Sequence, residues 1–324
     1  MNTMNTMYTM NKTSNKIGHK FTKTNLGTRN SVLYEILAPA KINLFLRILG
    51  TREDGYHELY SLFQEIDLAD ELKVELICCE TTDKEVFQIE TKSGLCEVGE
   101  DLKNLPSEKH LCYKAFARYM DEYRAKCNSF GVMARKISVK ATLVKNIPSE
   151  AGLGGGSSDA AAILIILQDM LGNPLTEEEL EFVGSKIGAD VPFFLVGGTS
   201  LCSGIGDRVE ELSSLEGISL KILKNARGVS TPECFKLYDS FKVSKTISEL
   251  ESNGYGAFLE ELRKPLTRSA LDVVLAHKDL LVNDLSKPAI ILVPEIEQEI
   301  TDLFSQGAKV ALMSGSGSSA FGLF

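Results

Sequence analysis

Long apolar runs are missing from this chain. The longest, Ala160 to Leu167, is less than half of the ~20 residues that a membrane helix needs, which excludes a multi-span membrane protein. Basic charge is also short. Lys and Arg number 35 against 44 Asp and Glu, a formal charge of −9. A dedicated nucleic-acid binder needs the opposite balance to displace phosphate counterions. Histidine occurs four times, and seven cysteines lie without repeating spacing. Neither a zinc site around Cys78 and Cys79 nor a disulfide framework is expected from them. Reduced thiols in or near the core, and so a reducing compartment, follow.

The first 31 residues contain no Asp or Glu, five Lys or Arg, and many Asn, Thr and Ser. Met1, Met4, Met7 and Met10 form a three-residue near-repeat there. Such a segment buries too little apolar surface to offset its ordering entropy, so residues 1–31 are expected to be a disordered extension. Its composition also suits an organelle-import peptide. An expendable extension and a start codon assigned too early are the plainer readings.

What remains is ordinary globular sequence. Of the 324 residues, 44% are hydrophobic and 24% charged, and the length suggests two domains with room for a cleft between them. Residues 34–49 read as two short strands broken at Pro39, and strand-like runs follow near 58–68 and 72–78. In 108–123, Leu111, Cys112, Ala115, Phe116, Tyr119, Met120 and Tyr123 recur at helical spacing, a core stripe. Residues 137–147 alternate as a strand. Thr176 and Glu179 form a capping box for a helix ending near Gly188. Residues 191–212 read as short strands separated by glycines, 233–283 as polar helices, and the C-terminus as helix, strand, Gly/Ser turn and strand. This mixture indicates an α+β fold rather than regular βαβ alternation.

The stretch Pro148–Ser158, PSEAGLGGGSS, carries the most information. Gly152, Gly154, Gly155 and Gly156 open an apolar helix whose amides and dipole favour an anion. Ser157 and Ser158 add hydroxyls suited to phosphate oxygens or magnesium. A P-loop would end in Gly-Lys-Ser/Thr, which is absent here. A dinucleotide fingerprint counted from Gly152 and Gly154 would need its third glycine where Ser157 stands.

This loop resembles the phosphate loop of the galactokinase–homoserine kinase–mevalonate kinase–phosphomevalonate kinase superfamily. APAKINLFL (38–46) and MSGSGSSAFGLF (313–324) resemble two further marks of the superfamily. APAKINLFLRILGTREDGYHEL (38–59), the Gly-Gly-Gly-Ser-Ser-Asp form of the loop and IGADVPFFLVGG (187–198) are similar to the branch acting on a cytidylyl sugar alcohol. The resemblance spans residues 34–324. It implies a two-domain kinase fold, ATP-binding N-terminal domain 32–200 and C-terminal domain 201–324, with the active site in the cleft.

The resemblance also implies roles. ATP would be co-substrate with Mg2+, held by Pro148, Ser149, Glu150, Ala151, Gly152, Leu153, Gly154, Gly155, Gly156, Ser157 and Ser158, with Ser158 as the metal contact. Lys145 is placed like a lysine approaching the nucleotide, or is a strand-end lysine in solvent. Asp190 corresponds to a catalytic aspartate that takes the acceptor hydroxyl's proton, and Lys41 to its partner lysine. Asn43 lies on the same strand face as Lys41. Tyr56 would stack on cytosine, His57 would read its polar edge, Phe235 would cover the other face, and Thr231 or Pro232 would line the pocket. Extra residues after Asn104 put its role as an adenine contact in doubt. The expected partners are the cytidylyl sugar-alcohol substrate, no nucleic acid and no membrane, in a monomer or homodimer. The cytoplasm is the expected location, with plastid import as the alternative.

Overall fold

The computed structural model describes residues 7–10, 21–26, 31–79, 85–224, 227–241 and 244–324. Alternating apolar residues build two long antiparallel strands, β3 (Ser31–Thr51) and β4 (His57–Cys79), from the region that reads as several short ones. Pro39 does not break β3. The register shifts between Pro39 and Ala40, an irregularity of the kind at which strands accept proline.

Around this hairpin lie β1 (Met7–Thr9), β2 (Phe21–Asn25), β5 (Phe87–Ser93), β6 (Lys136–Lys145), β7 (Thr199–Gly204), β8 (Arg208–Glu211), β9 (Ser219–Leu223), β10 (Val310–Met313) and β11 (Ala320–Leu323). One sheet runs β2-β3-β4-β6-β5, with β7 paired to the other half of β4 and to β8. The second runs β1-β9-β11-β10. Only the β5–β6 pair is parallel among the described strands, in keeping with an α+β fold.

The helices are α1 (Glu100–Lys103), α2 (Leu111–Ser129), α3 (Gly155–Met170), α4 (Glu177–Ser185), α5 (Val191–Val196), α6 (Thr231–Asp239), α7 (Ile247–Leu250), α8 (Gly256–Leu262), α9 (Ala270–Ala276), α10 (Ser286–Leu292) and α11 (Glu295–Ser305). In α2 the stripe Cys112, Ala115, Phe116, Tyr119, Met120 and Tyr123 is buried, as its spacing predicts. The Thr176–Glu179 capping box is formed, although α4 stops at Ser185. Every residue of α3 from Ser158 to Gln168 is buried, as befits a helix apolar all round.

The structure corrects two other expectations. Residues 191–196 are helical, not a strand: Asp190 stands at the N-cap of α5 and Pro192 in its first turn, where a missing N–H is harmless. Residues 7–10 and 21–25 are also not a disordered tail. β1 pairs with β9 and β2 with β3, while Tyr8 and Met10 are buried. Thr9 N–H donates to Asp67 Oδ1 at 2.8 Å, and Met10 N–H to the Ile218 carbonyl at 3.0 Å. Strand pairing on an existing sheet edge draws on backbone groups, which composition does not register. The import-peptide reading falls largely on 1–6, 11–20 and 27–30, outside the described residues.

The β3–β4 hairpin joins two cores. Its open end packs with α2, α3 and α5, and the part nearer the turn with β9, β11, α8 and α9. Residues 200 and 201 both lie in β7, which pairs with β4 along Thr199–Gly204 and with β8 along Ser200–Ser203. No helix among the described residues is long and apolar enough to cross a membrane. Six described cysteines are in no disulfide among the described residues, and three of them are buried.

Candidate active site

β6 ends at Lys145, and the chain then loops over to begin α3 at Gly155. Gly152 and Gly154 take φ of +72° and +74°, the left-handed region that favours glycine. A Cβ at Gly152 would lie 2.0 Å from the Ser314 carbonyl oxygen, and one at Gly154 2.8 Å from the Phe194 ring. Gly155 and Gly156 are instead the first helical residues of α3, so the amides of this 16-residue helix open beside the loop. Ser318 and Ser319 N–H groups donate to the carbonyls of Glu150 and Ala151 at 3.3 Å, docking the C-terminal Gly/Ser turn onto the loop.

β3 delivers Lys41 and Asn43 to one face at that loop. Lys41 Nζ donates to Asn43 Oδ1 at 2.8 Å and to the Gly152 carbonyl at 3.0 Å, and lies 3.5 Å from Asp190 Oδ2. The lysine side chain is only 4% exposed, whereas Asp190 is 29% exposed. The ammonium is therefore held from behind while the carboxylate faces an approachable space. A turn holds Asp190, with Val191 N–H donating to the Gly188 carbonyl at 3.1 Å. Asn43 Nδ2 donates to Ser61 Oγ at 3.0 Å, and Ser314 Oγ to the Gly152 carbonyl at 3.0 Å. Sequence reasoning assigned nothing to Ser314, although it lies inside the C-terminal glycine motif. A carboxylate next to a fixed ammonium can accept a proton while negative charge develops nearby.

Lys145 is not a strand-end lysine in solvent. It is buried, paired with Asp70 and, at 2.9 Å, with Asp159 Oδ2. Burial would lower its ammonium, but the carboxylates of Asp159 and Asp70 outweigh that and hold it above its usual value. Burial pushes the Asp159 carboxyl up to about 7 against the pull of Lys145. A charged residue inside an otherwise apolar helix is the signal that marks Asp159 in the sequence.

Ser158 Oγ is wholly buried and has no hydrogen-bond partner among the described residues. Ser157 Oγ faces the Gly188 turn, 3.5 Å from where a Cβ would stand there. No group of three or more metal-ligating side chains occurs among the described residues.

Further along the hairpin, the structure brings His57 and Phe235 together, with ring centroids 4.5 Å apart and planes tilted by 30°. His57 Nε2 lies 2.7 Å from Asp239 Oδ1, so one ring nitrogen is already engaged within the protein. Tyr56 is 61% exposed at the turn beside it. Thr231 and Pro232 begin α6, and the Thr231 hydroxyl bonds that of Ser316 at 2.7 Å, linking α6 to the Gly/Ser turn. Asn104 caps α1, with Nδ2 donating to Glu100 Oε2 at 3.1 Å, a bond inside its own helix.

Residues 110–198, which hold the loop, Ser158 and Asp190, match the family described as "GHMP kinases N terminal domain". The whole fold agrees: a homoserine kinase from Cytophaga hutchinsonii superposes with a TM-score of 0.62 at 18% identity, covering 93% of this chain and 87% of that one. The chain thus has the fold of the GHMP kinases. More narrowly, it belongs to the 4-diphosphocytidyl-2-C-methyl-D-erythritol kinase family. The enzyme of that name from Clostridium botulinum (strain Alaska E43 / Type E3) is 34% identical over 290 residues, 90% of each chain. That from Desulfitobacterium hafniense (strain Y51) is 35% identical over 297 residues, 91% of this chain and 88% of the other. A crystal structure of 4-(cytidine 5'-diphospho)-2C-methyl-D-erythritol kinase superposes with a TM-score of 0.62 at 31% identity, covering 89% of both chains.

Proposed function

We propose that this chain transfers the γ-phosphoryl group of ATP to the 2-hydroxyl of 4-diphosphocytidyl-2-C-methyl-D-erythritol, a step of non-mevalonate isoprenoid synthesis. ATP is the co-substrate that membership of a kinase family implies. The observation that carries the reading is the Lys41–Asp190 pair, 3.5 Å apart, with Lys41 bonded to the phosphate-loop carbonyl of Gly152.

The triphosphate lies over the first-turn amides of α3, where the helix dipole and unpaired N–H groups offset its charge. Pro148 to Ser158 wrap it, and the left-handed glycines let the backbone approach. Asp190, the more exposed of the pair, accepts the proton of the acceptor hydroxyl as its oxygen attacks phosphorus. Lys41 holds that carboxylate in place and stabilises charge on the transferring group. Asn43, itself fixed by Ser61, holds the Lys41 ammonium from the other side. Phosphoryl transfer asks for alignment and charge neutralisation more than covalent chemistry, and these residues supply both.

Ser158, with its buried and unpartnered hydroxyl, is the protein group that would hold magnesium. The bound ion would neutralise phosphate charge. Tyr56 is free to cover the cytosine ring, His57 offers its backbone and remaining ring nitrogen to the base edge, and Phe235 backs His57. Thr231 and Pro232 wall the pocket from α6.

A phosphoryl-transfer assay on the purified chain tests this. ADP release with the cytidylyl methylerythritol substrate, and none with homoserine or mevalonate, is expected. Turnover of either alternative in preference to the cytidylyl compound would overturn the assignment.

A further inference from the structure

The ion cluster beneath the loop has no part in the reaction as described above. Three charged side chains, Asp70, Lys145 and Asp159, are each at least nine-tenths buried and meet at one ammonium. Two carboxyl groups meet at one cation, and burying such a group is costly unless geometry requires it. Lys145 therefore has no free charge to offer a nucleotide.

The bonds around the cluster fall at the two ends of the loop. On the leading side, Asp70 Oδ1 accepts the N–H groups of Asn146 at 2.6 Å and Ile147 at 2.8 Å, and Asp70 Oδ2 accepts from Lys145. On the far side, Asp159 Oδ2, in the second turn of α3, accepts from Lys145 Nζ at 2.9 Å. Its other oxygen has no hydrogen-bond partner among the described residues, so Lys145 is what ties this carboxylate down. One ammonium thus connects the strand end before residue 148 to the helix turn after residue 158. A Cβ added to Gly155 would lie 3.3 Å from Lys145 Nζ, which places the ammonium directly under the first residue of α3.

We infer that Asp70, Lys145 and Asp159 are positioning residues: together they clamp both ends of the loop 148–158 and set where the first-turn amides of α3 stand, without touching the nucleotide. This rests on the reading of that loop as the phosphate site. The clamp acts by preorganisation, holding the amides in place before the triphosphate arrives, and a small misplacement of such donors is expensive.

Two opposed physical effects make this testable. If the cluster acted only through negative charge on Asp159, neutralising that residue would tighten ATP binding. If it clamps, removing the side chain loosens the loop and weakens ATP, while an isosteric acceptor restores it. Asp159→Ala is therefore expected to raise the KM for ATP about tenfold, with the KM for the acceptor little changed. Asp159→Asn, whose amide oxygen still accepts from Lys145, should recover most of that loss. Lys145→Met strands two buried carboxylates and is expected to lower the melting temperature as well as ATP affinity.

Calorimetric titration of ADP into the same variants reads binding apart from turnover. An unchanged KM for ATP in both Asp159 variants, with only the melting temperature reduced, would make the cluster merely structural. Tighter ADP binding by Asp159→Asn would make it an electrostatic element. Weaker nucleotide binding by Lys145→Met at an unchanged melting temperature would make Lys145 a direct ligand. Each of these overturns the clamp. Failure of the wild-type chain to bind ADP or ATP is a separate result, and it overturns the phosphate-loop reading itself.

Discussion

Lys41 Nζ and Asp190 Oδ2 stand 3.5 Å apart, one projecting from the middle of β3 and the other from the turn that starts α5. The lysine is anchored by two neutral acceptors, Asn43 Oδ1 and the Gly152 carbonyl, at 2.8 and 3.0 Å. Its distance to the carboxylate is longer than either. The ammonium is thereby held in register with the loop, and Asp190 keeps lone pairs available on its exposed side.

Asp190→Asn removes the proton acceptor and keeps the shape. Turnover should fall by about 10²–10⁴-fold, the usual share of general base catalysis, with nucleotide affinity close to wild type. Steady-state kinetics together with calorimetric ADP titration check this; an unaltered kcat removes Asp190 as the base.

Gly152→Ala meets two obstacles, a left-handed φ of +72° and a carbonyl oxygen 2.0 Å from the new Cβ. The substitution should cost at least about 1–3 kcal/mol of stability and displace the Gly/Ser turn from the loop. Chemical denaturation measures the first effect and the KM for ATP the second. A variant as stable as wild type contradicts the docking of Ser314 against Gly152.

Tyr56→Ala separates the two substrates. Base–aromatic stacking is worth about 1–3 kcal/mol, so the KM for the cytidylyl substrate should rise roughly tenfold to a hundredfold while that for ATP stays put. Equal losses for both would place Tyr56 in a general structural role.

His110 supplies a pH prediction. Burial, aided by the Lys145 charge, lowers its imidazolium to about 4, and its Nδ1 accepts the Cys112 N–H at the start of α2. Its folded value lies below the unfolded one near 6.5, so between these values the unfolded chain binds more protons. Stability contributed by the neutral ring is complete above about pH 6.5 and is lost as pH falls toward 4. Denaturation at pH 7 and pH 4.5 should differ by roughly 2–3 kcal/mol more in wild type than in His110→Asn. An identical difference in the two proteins argues against the neutral buried ring.

Much of this architecture is legible in the residues themselves. The loop glycines, the apolar helix behind them, the α2 stripe and the capping box at Thr176 are each encoded within a few residues of one another. Lys41 and Asn43 share a face because strand side chains alternate. Other features depend on partners far along the chain. Pro39 reads as a strand break until β4 pairs across the bulge. The run 191–196 reads as strand because Val, Phe and Leu suit either state, and only its burial against α3 and α4 decides for helix. β1 lies in a segment that is polar by composition, and it is ordered by pairing with β9.

What the sequence determined alone is the local chemistry: which residue types meet a phosphate, and the short-range geometry that presents them. The tertiary structure decided which charges are free. Lys41 and Lys145 are both lysines in strands, yet one reaches an accessible carboxylate and the other is enclosed by two buried ones. Solvation and neighbouring charge set that difference, and both depend on segments brought together only when the chain folds.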